Sequence, residues 1–204
     1  MDEVLRVLRM LEAGKINREE AERLLAALGV GSASGERVQR WLRVEGPAAD
    51  ILVLPTRDGD VAASGYGAGE LFLETDDEGG LLRVRPRGLR RFKVELFLPP
   101  DWGIDLALGK GTLKASSLAG LKGDLGVGKV EVAGVRELDF SLGAGEASIG
   151  LLLKEGEHRL VLGAGKAKIY ALPGASFRVQ DGRVYGEGRA RLFVDLGMGR
   201  LKEG

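Results

Sequence analysis

The stretch Leu138-Asp139-Phe140-Ser141-Leu142-Gly143-Ala144-Gly145-Glu146-Ala147-Ser148-Ile149 decides how the chain is read. Apolar and polar residues alternate up to a Gly-x-Gly corner, and a second alternating run leaves it. That is the period-two pattern of strand on either side of a turn. The same corner recurs at Gly109/Gly111, Gly126/Gly128, Gly163/Gly165 and Gly197/Gly199. Successive corners lie 17, 17, 20 and 34 residues apart, and because 34 is twice 17 the spacing predicts a further rung hidden around Gln180-Asp181-Gly182. A short fixed period of this kind marks a repeat architecture.

Aligning the rungs on the first glycine produces columns. Just before the corner stand Leu108, Leu125, Leu142, Leu162, Val179 and Leu196. Three before it stand Leu106, Gly123, Phe140, Leu160, Phe177 and Val194, and four after it Leu113, Val130, Ala147, Ala167, Val184 and Leu201. Alternate strand residues share a face, so these columns predict inward stacks spaced at roughly 4.8 Å per rung. The expected fold is mainly β: a single-stranded β-solenoid, β-helix-like, with about 17 residues per rung, carrying a small N-terminal α-helical hairpin. A meander of hairpins turning at each Gly-x-Gly has the same alternation. Residue type kept column by column through all the rungs favours the solenoid.

Upstream of the rungs, short strands are expected at Val38 to Val44, Ile51 to Leu54, Leu71 to Leu73, Leu81 to Arg85 and Phe92 to Leu98. Turn signals at Gly46-Pro47, Asp58-Gly59-Asp60, Glu78-Gly79-Gly80 and Pro99-Pro100-Asp101 separate them. Gly65-Tyr66-Gly67-Ala68-Gly69 reads as an irregular earlier copy of the corner. Residues 1–29 read differently. Val4, Leu5, Leu8 and Leu11 recur at helical spacing, and Gly14 is placed to end that helix. Asn17 with Glu20 forms a capping box, after which Ala21, Leu24, Leu25 and Leu28 make a second apolar stripe that Gly29 stops. Two helices this short cannot bury both stripes against each other, so the hairpin packs on its own domain, a second copy or a partner. The expected organisation is a hairpin at 1–29, a flexible linker at 30–36, and a solenoid at 37–204 with an irregular lead-in over 37–102 and regular rungs over 103–204.

Composition bounds the chemistry. The 33 glycines have no collagen-like period and are turn chemistry, and 30 basic residues cancel 30 acidic ones. Any electrostatic preference must therefore be local. One Asn, two Gln and 29% charged residues resemble the composition of thermophile proteins. Zero cysteines exclude disulfides and thiolate metal sites. No segment has the run of about 18 uncharged apolar residues that a membrane-spanning helix needs, and the acidic start Met1-Asp2-Glu3 is unlike a signal peptide, so a cytoplasmic protein is expected.

Apparent catalytic signatures fail on inspection. Gly123-Asp124-Leu125-Gly126-Val127-Gly128-Lys129 fits G-x-x-x-x-G-K, but Val130 stands where magnesium needs a hydroxyl, and the chain continues as strand. His158 is the only histidine and falls in the column of Ile104, Leu121, Leu138, Ala175 and Leu192, where it is partly tucked at a rung end. Asp124, Asp139 and Asp195 do not share one column, so no carboxylate cluster of a polysaccharide-cleaving solenoid emerges. With 5% aromatics there is no stacking platform for nucleic acid. No catalytic residue, metal ligand, cofactor or small-molecule substrate is expected, and Trp41 and Trp102 read as packing residues.

Two patterns bear on partners. Arg83, Arg85 and Arg87 share one strand face, either as an anion-binding strip or as a charge-blunted edge neutralised by Glu74, Asp76, Asp77 and Glu78. Outward in the rungs, three and five residues past the corner, the columns hold Lys114, Lys129, Lys166, Lys168, Arg183, Arg200 and Lys202 against Glu131 and Glu146. This face is either a solvated lysine-rich surface or a contact for an anionic polymer or membrane surface.

Val7-Leu8-Arg9-Met10-Leu11-Glu12-Ala13-Gly14-Lys15-Ile16-Asn17-Arg18-Glu19-Glu20-Ala21 resembles the SHOCT-like helical hairpin. Val94-Glu95-Leu96-Phe97-Leu98-Pro99, followed by Ile104-Asp105-Leu106-Ala107-Leu108-Gly109-Lys110-Gly111, is similar to the "putative adhesin" domain of unknown function, with L-G-x-G in place of its serine-rich corner. The resemblance implies a β-solenoid without catalytic residues, in proteins of bacterial cell-envelope stress responses that bind or regulate. The sequence thus points to a non-enzymatic scaffold. Its hairpin residues Val4, Leu5, Leu8, Leu11, Leu24, Leu25 and Leu28 mediate self-association or partner binding, or its basic face binds an anionic surface.

Overall fold

The alternating runs fold as strands, and most are longer than the sequence pattern suggests. The computed structural model describes residues 6, 7, 10, 24, 38–56, 59–88, 92–153, 156–172, 177–180, 183–186 and 190–203. In chain order the strands are β1 (Arg40–Pro55), β2 (Ala62–Tyr66), β3 (Gly69–Thr75), β4 (Gly79–Pro86), β5 (Lys93–Leu98) and β6 (Trp102–Ala115). There follow β7 (Gly120–Val135), β8 (Glu137–Leu151), β9 (Glu157–Ala171), β10 (Phe177–Gln180), β11 (Arg183–Gly186) and β12 (Arg191–Glu203). They form one open sheet with the order β10-β11-β12-β9-β8-β7-β6-β1-β4-β3, while β5 pairs with both β1 and β2.

From β1 through β6, β7, β8 and β9 to β12 every pairing is parallel. Leu125 lies beside Leu108 and Leu142, and Leu162 lies beside Leu142 and Leu196, so the corners are in register. A straight strand of 16 residues would part its ends by roughly 50 Å. Yet Arg136 alone separates the end of β7 from the start of the parallel β8. The chain must therefore double back within each layer, and burial shows where. Leu121 and Leu125 are buried before the corner and Val130 and Val132 after it, while Gly126 and Val127 between them are exposed. Inward positions change from odd to even across the bend, so both limbs of the strand turn the same side to the core. The short connections are bonded from layer to layer as well: Leu118 N–H donates to the Ala133 carbonyl, Arg136 N–H to Ala119 and Leu152 N–H to Val135.

The two corner glycines have a steric cause. A Cβ on Gly126, Gly143 or Gly163 would run into the carbonyl oxygen of the first glycine in the preceding layer. A Cβ on Gly128, Gly145 or Gly165 would overlap the carbonyl oxygen of the preceding second glycine still more deeply. Gly145 also has φ 138°, a conformation side chains rarely adopt. In β1 the same columns hold Pro47 and Ala49. They are tolerated because the outer neighbours of β1 are interrupted there: β4 pairs with it only as far as Glu45, and β5 only from Asp50. Gly46-Pro47, a turn signal in the sequence, is thus the corner of one continuous strand.

The inward columns pack one core of Leu, Val, Ile and Ala, with Leu106, Leu121, Leu142, Leu160 and Ile169 fully buried. Where Gly123 supplies no side chain, its neighbour across the ladder is Phe140, the largest side chain fully buried among the described residues. Trp102 is buried, and Trp41 lies flat where Cβ atoms on Gly103 and Gly120 would stand. The Gly65–Gly69 segment joins β2 to β3 across the Phe92 ring, which occupies the space that side chains at either glycine would need.

The hidden rung is not a rung. β10 and β11 pair antiparallel, Val179 with Val184 and Gln180 with Arg183, and β11 runs antiparallel to β12. β12 lies directly on β9, Leu192 beside His158, across a 34-residue step. Without Gly-x-Gly the chain cannot approach the preceding layer as closely, and Asp181-Gly182 between the paired residues is a strong two-residue hairpin signal. Phe177, Val179 and Val184 therefore leave the columns assigned to them. The lead-in differs too. β1 is a complete layer between β6 on one side and β4 with β5 on the other, and β2 and β3 run antiparallel at the outer edge.

Replacing Gly145 by Ala places a methyl against the Gly128 carbonyl and strains φ, so a loss of about 3 kcal/mol or more in urea-unfolding free energy is expected. Ala144→Ser, at the open middle position of the same corner, should shift it by less than about 0.5 kcal/mol.

Candidate interaction surface

Alternation turns one set of residues outward on each limb. On the limb before the corner, one column reads Arg43, Asp105, Lys122, Asp139 and Arg159 across β1, β6, β7, β8 and β9. Its signs alternate. Asp105 pairs with Arg43 at 3.3 Å and with Lys122 at 3.9 Å, and the Lys122 ammonium sits 4.2 Å from the centre of the Trp41 ring. Val38 N–H donates to the Glu137 carboxylate at 3.0 Å, so the chain leading into β1 lies across this face. Residue-by-residue reading missed this column because its members belong to different rungs, although the alignment on the corners already contained it.

On the limb after the corner, one outward column reads Thr112, Lys129, Glu146, Lys166 and Arg200, and its neighbour Lys114, Glu131, Ser148, Lys168 and Lys202. Six of the seven residues of the candidate basic face are brought together. Arg183 is not: it pairs with Phe193 of β11–β12, on the opposite limb. The physical reason is the hairpin that replaces the supposed rung. Within the face, Glu131 binds Lys129 at 2.6 Å and Lys114 at 3.0 Å, and Glu146 lies 3.9 Å from Lys129. Charge thus changes along the stack. Lysines and carboxylates are interleaved over β6–β8, and four bases adjoin over β9 and β12. Burial raises the Glu131 carboxyl, but hydrogen bonds from Lys129 and Lys114 outweigh it and hold the group below its ordinary value.

The arginines of the strip are paired mainly with other partners than those expected, although the charge of Glu74 also acts on Arg83. Arg83 binds Glu45 at 2.7 Å, Arg87 pairs with Glu70, and Arg85 lies 5.2 Å over the Phe72 ring. Asp76 instead accepts hydrogen bonds from the N–H groups of Glu78 and Gly79 at 2.8 and 2.9 Å and closes the turn between β3 and β4. The hydrogen bond and charge of Arg83 hold the Glu45 carboxyl below its ordinary range.

Residues 123–129 lie wholly within β7 and open into no helix, so the phosphate-loop pattern is a product of the corner. His158 is buried, and its Nδ1 accepts from Leu138 N–H at 3.3 Å where the ladder between β8 and β9 has not yet begun. Asp124 and Asp195 share a column, separated by three strand steps, roughly 14 Å; Asp139 lies in another. Among the described residues no group of three or more His, Asp or Glu could hold a metal ion, and no helix is long and apolar enough to cross a membrane.

Of the hairpin positions, Val4, Leu5, Leu8, Leu11, Leu25 and Leu28 lie outside the described residues. Residues 6, 7, 10 and 24 have helical backbone. Val7 is buried and Leu24 is 42% exposed.

A SHOCT-like domain model matches residues 2–33. No curated protein matches the chain. Among solved structures, a "putative cell adhesion protein" from Clostridium sporogenes is 15% identical, with a TM-score of 0.48 over 82% of this chain and 92% of that one. A "putative adhesin" from Bacteroides fragilis is 12% identical, with a TM-score of 0.26 over 83% and 93%. Neither likeness is close enough to establish a common fold.

Because the folded-state pKa of Glu131 is depressed, its contribution is complete above the ordinary carboxylate value of 4.5 and is lost as pH falls through the lower folded value. Glu131→Gln should therefore lower the melting temperature at pH 7, and the gap to the wild type should close progressively in melts recorded below pH 4.5.

Proposed function

We propose that the chain is a non-enzymatic interaction scaffold: a β-solenoid of about 17 residues per coil that holds an N-terminal SHOCT-like hairpin for self-association or partner binding. The in-register parallel layers and their bonded connections support the solenoid reading, since a stack of this kind is stiff and presents fixed columns of side chains. The observation that carries the binding role is Leu24, a large apolar residue on helical backbone that remains 42% exposed within the segment matching the SHOCT-like model. A large apolar residue left accessible on helical backbone is what a second helix would cover. The resemblance of the hairpin and lead-in motifs extends the reading to regulation of bacterial cell-envelope stress.

Static light scattering on the full chain, on Leu24→Asp and on a chain lacking residues 1–33 tests the reading. An oligomer that falls to the monomer mass in both variants is the expected result for self-association. A monomeric wild type, or an unchanged mass in both variants, removes self-association through the hairpin and leaves partner binding as its role.

A further inference from the structure

We propose that the outer face of β9 and β12, together with the corner ridge beside it, docks on an anionic lipid bilayer. The proposal extends the scaffold reading by giving the stack a surface to sit on, and it stands on features independent of the hairpin.

The first feature is the cation array. Lys166 and Lys168 of β9 face outward from neighbouring positions, and Arg200 lies beside Lys166 in the pairing with β12. Lys166 and Arg200 are exposed and Lys168 is half-buried. Strand geometry sets such side chains about 4.8 Å apart between strands and roughly 6.6 Å apart along one, a dense and nearly planar positive patch. Lys168 lies 5.9 Å from the centre of the Tyr170 ring, so an amphipathic aromatic stands at its margin. In these columns Glu146 stands beside Lys166, and Glu131 is the close partner of Lys114 and Lys129.

The second feature is the ridge. The middle residues of the corners are in register as Lys110, Val127, Ala144, Ala164 and Met198, so the column is apolar from β7 to β12. Met198 is 86% exposed and Val127 51%, at the outermost point of the bend. The limb on the far side of the ridge carries exposed Asp124 and Asp195 two residues before the corner. Seen across the bend at β12, the order is Asp195, Met198 and Arg200. A soluble polyanion would use the cations alone and leave the thioether in water. A bilayer surface satisfies both: phosphate and carboxylate headgroups meet the lysines and arginine, the ridge enters the headgroup layer, and Asp195 on the far side of the ridge stays in water. Long basic side chains can reach headgroups while their stems cover apolar surface.

The test is flotation of the full chain at low salt with vesicles of phosphatidylcholine alone, or with about one-third phosphatidylserine added, which supplies the anionic surface. The wild type should float with the anionic vesicles only. Lys166→Gln/Lys168→Gln/Arg200→Gln should weaken partition on the order of a hundredfold, roughly fivefold per cation. Arg200→Gln alone should give the single-step loss, and Met198→Ser should weaken it further, whereas Arg43→Gln on the opposite limb should change nothing. Thermal melts confirm that each variant is folded, and light scattering on the same samples reads the hairpin separately, so the two proposals fail by different signals. The docking proposal is overturned if the wild type does not float with anionic vesicles or if the triple variant floats as well as the wild type. It is equally overturned if heparin binds the wild type while Met198→Ser leaves flotation unchanged, which would make the patch a polyanion site.

Discussion

The close approach of one layer's carbonyl oxygens to the next layer's α-carbons at the corner is the contact on which the rest of the structure depends. It occurs at both corner glycines from β6 to β9 and again at Gly197 of β12. Were either position to carry a side chain, neighbouring layers would separate at the bend and the parallel ladder on both limbs would lose its register. Everything outward of the backbone follows from that registration. Apolar residues meet apolar residues in the core because corners coincide, and charged residues meet charged residues on the surface for the same reason.

The two limbs use this registration in opposite ways. Before the corner, signs alternate from layer to layer, so each carboxylate is flanked by bases and the face neutralises itself. Individual exposed pairs of this kind contribute little to stability, but an alternating column penalises any slip by one layer, which would bring like charges together. After the corner, interleaving stops at Glu146, and bases accumulate toward β12. A protein whose total charge is zero thus carries one balanced face and one graded face, a distinction that composition cannot reveal.

How much was legible depended on whether a feature repeats. Strand alternation, the inward columns and the corner positions follow from period and spacing, and the structure places Leu108, Leu125, Leu142 and Leu162 in one buried row as the alignment requires. Six of the seven basic positions came together on the same grounds. The failures fall where the period is absent. Across residues 177–186 the period predicts a rung where β10 and β11 pair antiparallel, and it assigns Arg183 to the wrong limb; the local hairpin signal Asp181-Gly182 agrees with the structure. Pro47 and Ala49 concealed a corner in β1, since their tolerance depends on neighbouring strands that break beside them. The arginine partner Glu45 comes from the pairing of β4 with the distant β1, and Glu70 from the register of the β3–β4 hairpin, and no local rule selects them over the nearer Glu74 and Asp76.

The place of β1 in the sheet bears on the order in which the fold can be completed during synthesis. Both of its ladders are made with segments that follow it: β4 and β5 on one side, and β6, 62 residues later from Arg40 to Trp102, on the other. When β1 leaves the ribosome it therefore has two open edges. Its partners emerge in chain order, β4 and β5 before β6. Distant pairings of this type are slow to form, and an open apolar strand waiting for them is a site of mispairing. The polar interruption Glu45-Gly46-Pro47 in the middle of β1, with a proline that has no N–H to donate, falls where it blunts that waiting edge. The bend that shapes the finished stack would thus also protect its first-made layer while the chain is still incomplete.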